Sequence, residues 1–116
     1  MHVPLLWGLA NHTIALSGQK GRIYVMNIRF EWDEAKRLRN LSNHGLDFVD
    51  TPAVFEGRTV SYEDDRFDYG EERFVTLGSL NGMPVSIIHT ETETEIHIIS
   101  FRRATKREAA YLYENS

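Results

Sequence analysis

Ile96-His97-Ile98-Ile99-Ser100-Phe101-Arg102-Arg103-Ala104-Thr105-Lys106-Arg107-Glu108 decides how this chain is read, because an apolar, β-like run breaks there into a basic turn and then a helix. Thr105 stands three residues before Glu108. That is the capping-box spacing, in which a hydroxyl and a carboxylate satisfy orphan backbone donors at a helix start. Arg102, Arg103, Lys106 and Arg107 cluster at this junction although the formal net charge is −4, so the positive charge is local. A local cluster suits a small anionic site, such as a few phosphates of RNA, better than broad coating of a duplex.

Working back from the junction, Ile96 to Phe101 is near-continuously apolar, which predicts a central strand covered on both faces. Glu91 to Glu95 is a polar reversal. Arg73 to Leu80 and Val85 to Thr90 flank Asn81-Gly82, a strong hairpin signal, and so predict antiparallel neighbours. Thr59 to Glu63 predicts another strand, followed by the acidic loop Glu63 to Gly70. Further upstream the period turns helical: Ala35, Leu38 and Leu41 recur at helical spacing, with Asp33 as N-cap and Gly45 as stop. A shorter helix begins near Asp47 or Asp50, takes Pro52 in its first turn, buries Phe48, Val54 and Phe55, and ends at Gly57. Asn27 to Trp32 alternates as a strand. The predicted order β-α-α-β-β-β-β-α makes an α+β fold, a mostly antiparallel sheet packed with two N-terminal helices and a C-terminal helix.

One domain is what 116 residues can hold. Hydrophobic content of 41%, with six Phe, five Tyr and two Trp, argues for a folded core. The absence of cysteine excludes disulfides and thiolate metal sites and fits a reducing cytoplasm. Val3 to Ala10 is apolar, but Pro4 and Gly8 interrupt it, it lacks a basic leader, and it is far too short to span a bilayer. Neither a signal peptide nor a membrane helix is read there. Ser17-Gly18-Gln19-Lys20-Gly21 has linker composition, and Met26 directly precedes the patterned part. Residues 1–25 are accordingly expected to be an N-terminal extension, of non-native start or loosely ordered, ahead of a domain at residues 26–116. The competing reading makes Ile23-Tyr24-Val25 a genuine extra strand.

Phe30-Glu31-Trp32-Asp33, then Lys36, Asn40, His44-Gly45 and Phe48, form a spaced pattern that resembles the opening of the BrnT family of toxins. Tyr69-Gly70-Glu71-Glu72-Arg73-Phe74 and the closing Ile98 to Glu108 with Tyr113-Glu114 resemble it too, so the likeness runs from about Met26 to the end. It implies a RelE-like fold and a ribonuclease activity that blocks translation in the cytoplasm. It also implies a hetero-oligomer with a BrnA-type antitoxin, which contacts operon DNA through its own binding region, so that DNA is a partner only indirectly. Where the family pattern carries basic residues, this chain has Asn43, Thr92 and His97. The alternatives are a catalytically weakened relative that only binds antitoxin and regulates the operon, and a small RNA- or protein-binding domain.

Cleavage of RNA by its own 2′-hydroxyl needs a base, an acid and positive charge on the transition state. No metal or other cofactor is expected, and no His-x-x-x-His with a carboxylate partner is present. Arg102 and Arg73 match family motif positions and suit the charge, because a guanidinium donates two parallel hydrogen bonds to phosphate. Either could instead simply pair with Glu71, Glu72 or Glu108. His97 is the candidate for proton transfer, and an odd-length reversal around Glu93 would put His89 across from it. His89 reads more readily as a buried strand histidine. Glu72, or its neighbour Glu71, is a candidate carboxylate base. Arg103, Lys106 and His44 are candidate RNA contacts, although His44 beside Gly45 also suits a helix end. Trp32 reads as a core plug rather than a base-stacking platform.

Overall fold

The computed structural model describes residues 14–17 and 19–116, with side chains from residue 19 onward; the apolar stretch at 3–10 lies outside the described residues. Seven strands form one sheet: β1 (Ile14–Ser17), β2 (Lys20–Val25), β3 (Ile28–Asp33), β4 (Val60–Glu63), β5 (Phe74–Leu80), β6 (Met83–Glu91) and β7 (Glu95–Arg103). Their spatial order is β1-β2-β3-β7-β6-β5-β4. Neighbours are antiparallel except β3 and β7, which run parallel. Among the described residues three helices give an α+β architecture: α1 (Glu34–His44), α2 (Thr51–Glu56) and α3 (Lys106–Asn115). None is long and apolar enough to cross a membrane.

Local chemistry explains most element boundaries. The Asp33 side chain accepts from Lys36 N at the start of α1, and Gly45, at φ 71°, ends it. Both expected starts of the second helix are used, in series. Asp47 caps a 3-10 turn over Phe48–Asp50, and α2 then begins with Pro52 in its first turn. Asn81 and Gly82, at φ 51° and 83°, turn β5 into β6 with the left-handed conformations that a tight hairpin requires. At α3 the capping box is complete: Glu108 N donates to Thr105 Oγ1 (3.1 Å) and Thr105 N donates to Glu108 Oε1 (2.8 Å).

Two regions differ from the sequence reading. Residues 20–25, expected within a loose extension or, in the competing reading, as a strand at 23–25, pair with β3 from Lys20↔Asp33 to Val25↔Ile28 and bury Ile23 and Val25 in the core. Met26, the expected domain start, is an exposed turn residue between those two strands. Polar linker-like residues masked a strand whose apolar positions, 23 and 25, are only two. In α1 the expected apolar stripe is reversed. Leu38 and Leu41 are 52% and 37% exposed, while Asn40 is buried. Asn40 faces the sheet because its amide bridges Phe101 O (2.7 Å), Phe101 N (3.1 Å) and Leu46 O (3.0 Å), tying helix, loop and β7 together.

The main core lies on one face of the sheet, where α1, the 3-10 turn and α2 cover Ile23, Phe30, Trp32, Val85, Ile87, Ile98 and Phe101 with Leu46, Phe48 and Val54. Trp32 is fully buried there, edge-on to Phe48, as expected. On the opposite face a smaller cluster of Val75, Leu77 and Leu112 sits under α3. The rest of that second face carries charged side chains, and the candidate site lies on it.

Candidate functional site

Strand alternation places the site. Phe30 and Trp32 point into the main core, so Arg29, Glu31 and Asp33 take the other face. On β7, Ile98 and Phe101 face the core with three-residue rather than even spacing. A register shift opposite Ile88 and His89 absorbs the extra residue, and His97 and Arg102 both end on the second face. The register runs Thr90↔His97, His97↔Glu31 and Glu31↔Arg22, one row across four adjacent strands. Arg73 precedes Phe74, which pairs with His89, so it continues this row beyond Thr90. Arg73 and His97 are thus about 10 Å apart at roughly 4.8 Å per strand.

Glu31 is the hub of the row. Its side chain is 6% exposed, with Arg22 Nε at 3.2 Å, Lys20 Nζ at 3.5 Å, Arg29 Nε at 3.7 Å and His97 Nδ1 at 3.7 Å. Burial pushes the Glu31 carboxyl up, but the hydrogen bond from Arg22 and the charges of Lys20, Arg29 and His97 outweigh it, leaving the pKa below the usual range. Glu31 is therefore a fixed anion at neutral pH. Arg29 also bonds Glu95, while its buried Nε has no hydrogen-bond partner among the described residues.

Arg102 stands five residues along β7 from His97, roughly 16 Å at about 3.3 Å per residue. Its guanidinium is engaged by Glu108 in a bidentate pair, at 2.8 and 3.0 Å. That hydrogen bond, opposed by burial, raises the arginine pKa and lowers that of Glu108. Tyr62, Leu77, Arg107, Glu108 and Tyr111 line an adjoining groove of about 410 Å³. Arg73 pairs with Glu71 at 3.2 Å and lies 4.0 Å over the Tyr69 ring. Both sequence-nominated arginines thus have the carboxylate partners that a purely structural role would give them.

The remaining nominated residues do not gather at one point. Glu72 is exposed beside Arg73, and Arg103 and Lys106 are exposed at the β7–α3 junction. His44 is exposed on the last turn of α1, which packs on the other face from Arg102, so the sheet separates them. His89 is not opposite His97. Four residues, Thr92 to Glu95, lie between the paired Glu91 and Ile96, an even number, which puts His89 across from Ile98 and on the core face. There it is fully buried between Phe74 and Phe55, and its Nε2 meets Thr76 Oγ1 at 2.7 Å. Burial lowers its pKa to about 4, so it is neutral near pH 7.

Sequence reasoning missed Glu31, Lys20, Arg22 and Arg29 as site residues. A signal was available. Lys20 and Arg22 are spaced by two, as are Arg29 and Glu31, and reading 20–25 as a strand would have put all four on one face. A family model described as "Ribonuclease toxin, BrnT, of type II toxin-antitoxin system" matches residues 32–108. A search among curated proteins returned no match.

Proposed function

This chain belongs to the BrnT family of ribonuclease toxins of type II toxin–antitoxin systems, and from that premise we propose that it cuts RNA without a metal on the charged face of its sheet and so blocks translation. The observation that carries this reading is the His97–Glu31 pair, 3.7 Å apart, set in a row with Arg22 and Arg73 on a face that α3 covers only in part. The RelE-like description of the fold rests on family membership.

In this reading His97 removes the 2′-hydroxyl proton, and the resulting alkoxide attacks phosphorus, giving a 2′,3′-cyclic phosphate and a 5′-hydroxyl once the leaving oxygen is protonated. Glu31 remains ionised beneath the imidazole and holds its Nδ1 side, leaving Nε2 for substrate. Arginine charge steadies the doubly anionic transition state, with Arg73 in the same row as His97. Glu72, exposed beside Arg73, is the proposed second proton carrier. Arg102, with Arg103 and Lys106, receives a neighbouring part of the RNA strand, and His44 stays a more distant RNA contact.

We assign neutralisation to a BrnA-type antitoxin that forms a hetero-oligomer with the toxin and alone contacts operon DNA. An RNA substrate in translation makes the cytoplasm the site of action. Expression should arrest growth, the adjacent antitoxin gene should restore it, and His97→Ala should relieve arrest while keeping the circular dichroism spectrum. A parent chain that neither slows growth nor cleaves RNA would favour a relative that retains only antitoxin binding.

A further inference from the structure

We propose that β2 is part of the substrate site: Lys20 and Arg22, together with Arg29, hold a phosphate of single-stranded RNA over the Glu31–His97 pair. The inference rests on the functional reading above and adds a phosphate-binding element to it. Glu31, Arg29, Arg22 and Lys20 all precede residue 32, where the family match begins, so this element is not one that the match itself covers.

Donor count rather than net charge supports the assignment. Lys20, Arg22 and Arg29 are set against Glu31, Glu95 and, across from Lys20 on the same face, Asp33, so the charges balance. Donors are in excess. An arginine has five N–H groups and a lysine three, more than the carboxylates accept, and among the described residues the buried Arg29 Nε has no hydrogen-bond partner. Exposure gives the cluster a direction. Glu31 is 6% exposed while the Lys20 side chain is 54% and Arg22 29%, so the anion forms the floor and the cations the rim. A floor carboxylate limits the motion of the guanidinium groups, and the partly exposed Lys20 and Arg22 side chains stand at the rim, where an incoming anion arrives. His97, 31% exposed beside Glu31, makes RNA the better fit than an acidic peptide, since a peptide would have no use for a proton carrier there.

The test uses the full chain and a short, fluorescent, uncleavable 2′-O-methyl RNA, with binding followed by anisotropy over a range of salt. Lys20→Ala and Arg22→Ala should each weaken binding about 3–10-fold and flatten the plot of log affinity against log salt by about 0.7, the value for one phosphate contact on a single strand. Lys36→Ala, on α1 across the sheet, should change neither. With cleavable RNA, both β2 variants should raise KM with kcat nearly constant, whereas His97→Ala should lower kcat. If Arg22→Ala fails to fold, the half-exposed Lys20→Ala decides alone. A parent that binds and cleaves RNA while Lys20→Ala keeps its affinity and salt slope overturns this inference and leaves the functional reading standing. A parent that binds no RNA overturns both. Variants that lose antitoxin binding but retain RNA binding assign the patch to the antitoxin and also overturn it.

Discussion

Replacing Gly21 by alanine should destabilise the protein strongly, although alanine in a strand ordinarily improves on glycine by about 0.5–1 kcal/mol. The new Cβ would fall 2.1 Å from Trp32 Nε1, 2.4 Å from Cε2 and 2.7 Å from Cζ2. Ordinary contacts lie near 3.5–4.0 Å, so the indole would have to retreat by about 1 Å or more. It has nowhere easy to go. Trp32 is fully buried, packed edge-on to Phe48, and donates from Nε1 to Glu34 at 3.0 Å. Overpacking of this kind costs about 1–3 kcal/mol, and loss of the indole hydrogen bond about 1 more, against the gain from removing glycine. A net loss of roughly 1–3 kcal/mol lowers the melting midpoint by about 4–8 °C for each kcal/mol in a domain of this size. Thermal melts followed by circular dichroism, with tryptophan fluorescence of the native state, measure it. Gly57→Ala, whose Cβ would meet nothing closer than 3.7 Å, is the control and should be close to neutral. If Gly21→Ala melts with the parent and its fluorescence is unchanged, β2 does not pack on Trp32, and the domain starts near Met26 after all. The same reasoning predicts that a chain beginning at Met26 loses about 3–6 kcal/mol from the burial of Ile23 and Val25 alone.

Asn40→Leu should cost about 2–4 kcal/mol in urea unfolding, because it strands the Phe101 N–H and two buried carbonyls and no apolar side chain can replace those bonds. The depressed pKa of His89, about 4 against 6.5, means that the unfolded chain takes up the proton first on acidification. That contribution is complete above about pH 6.5 and is lost as the pH falls toward about 4, up to ~3 kcal/mol in all; urea midpoints at both ends of the range should show it, and His89→Gln should flatten the curve. Arg102→Ala should weaken RNA binding and reduce toxicity while antitoxin still binds, whereas Glu108→Gln, which frees the guanidinium, should leave RNA cleavage intact; equal loss in both, with a shared fall in melting temperature, would give the pair a purely structural role.

Legibility in the sequence followed how local each determinant was. The Thr105–Glu108 box, the Asn81-Gly82 hairpin and the Gly45 stop are fixed within a few residues, and the structure bears out all three. The Asn40 environment could not be read, because its partners Leu46 and Phe101 lie 6 and 61 residues away. Helical periodicity then assigns the inward face to leucine by default. His89 and His97 turned on the parity of one short reversal and on one bulge, and a one-residue change moves a histidine from the solvent face to the core. Glu31 was visible only as part of a motif, since two of its cations, Lys20 and Arg22, arrive from a strand in the segment that read as an extension.

The Glu31 cluster is costly as a device for stability. Four cationic or titratable groups around a carboxylate that is 6% exposed must give up water, and such networks rarely stabilise more than a well-packed apolar set of the same volume would. The same sheet face shows the apolar alternative, since under α3 it is closed by Val75, Leu77 and Leu112. The chain thus builds both kinds of surface within one sheet. It places the charged kind on β2, β3 and β7, where backbone pairing on both sides holds each side chain in register. A site for a flexible polyanion requires that combination of fixed positions and surplus N–H donors, whereas a sheet face that only had to be closed would not. Charge-preserving changes separate the two explanations. Arg22→Lys retains the net charge but loses the planar fork, so it should leave the melting temperature nearly unchanged and weaken RNA binding; unchanged RNA binding would return the cluster to a structural role.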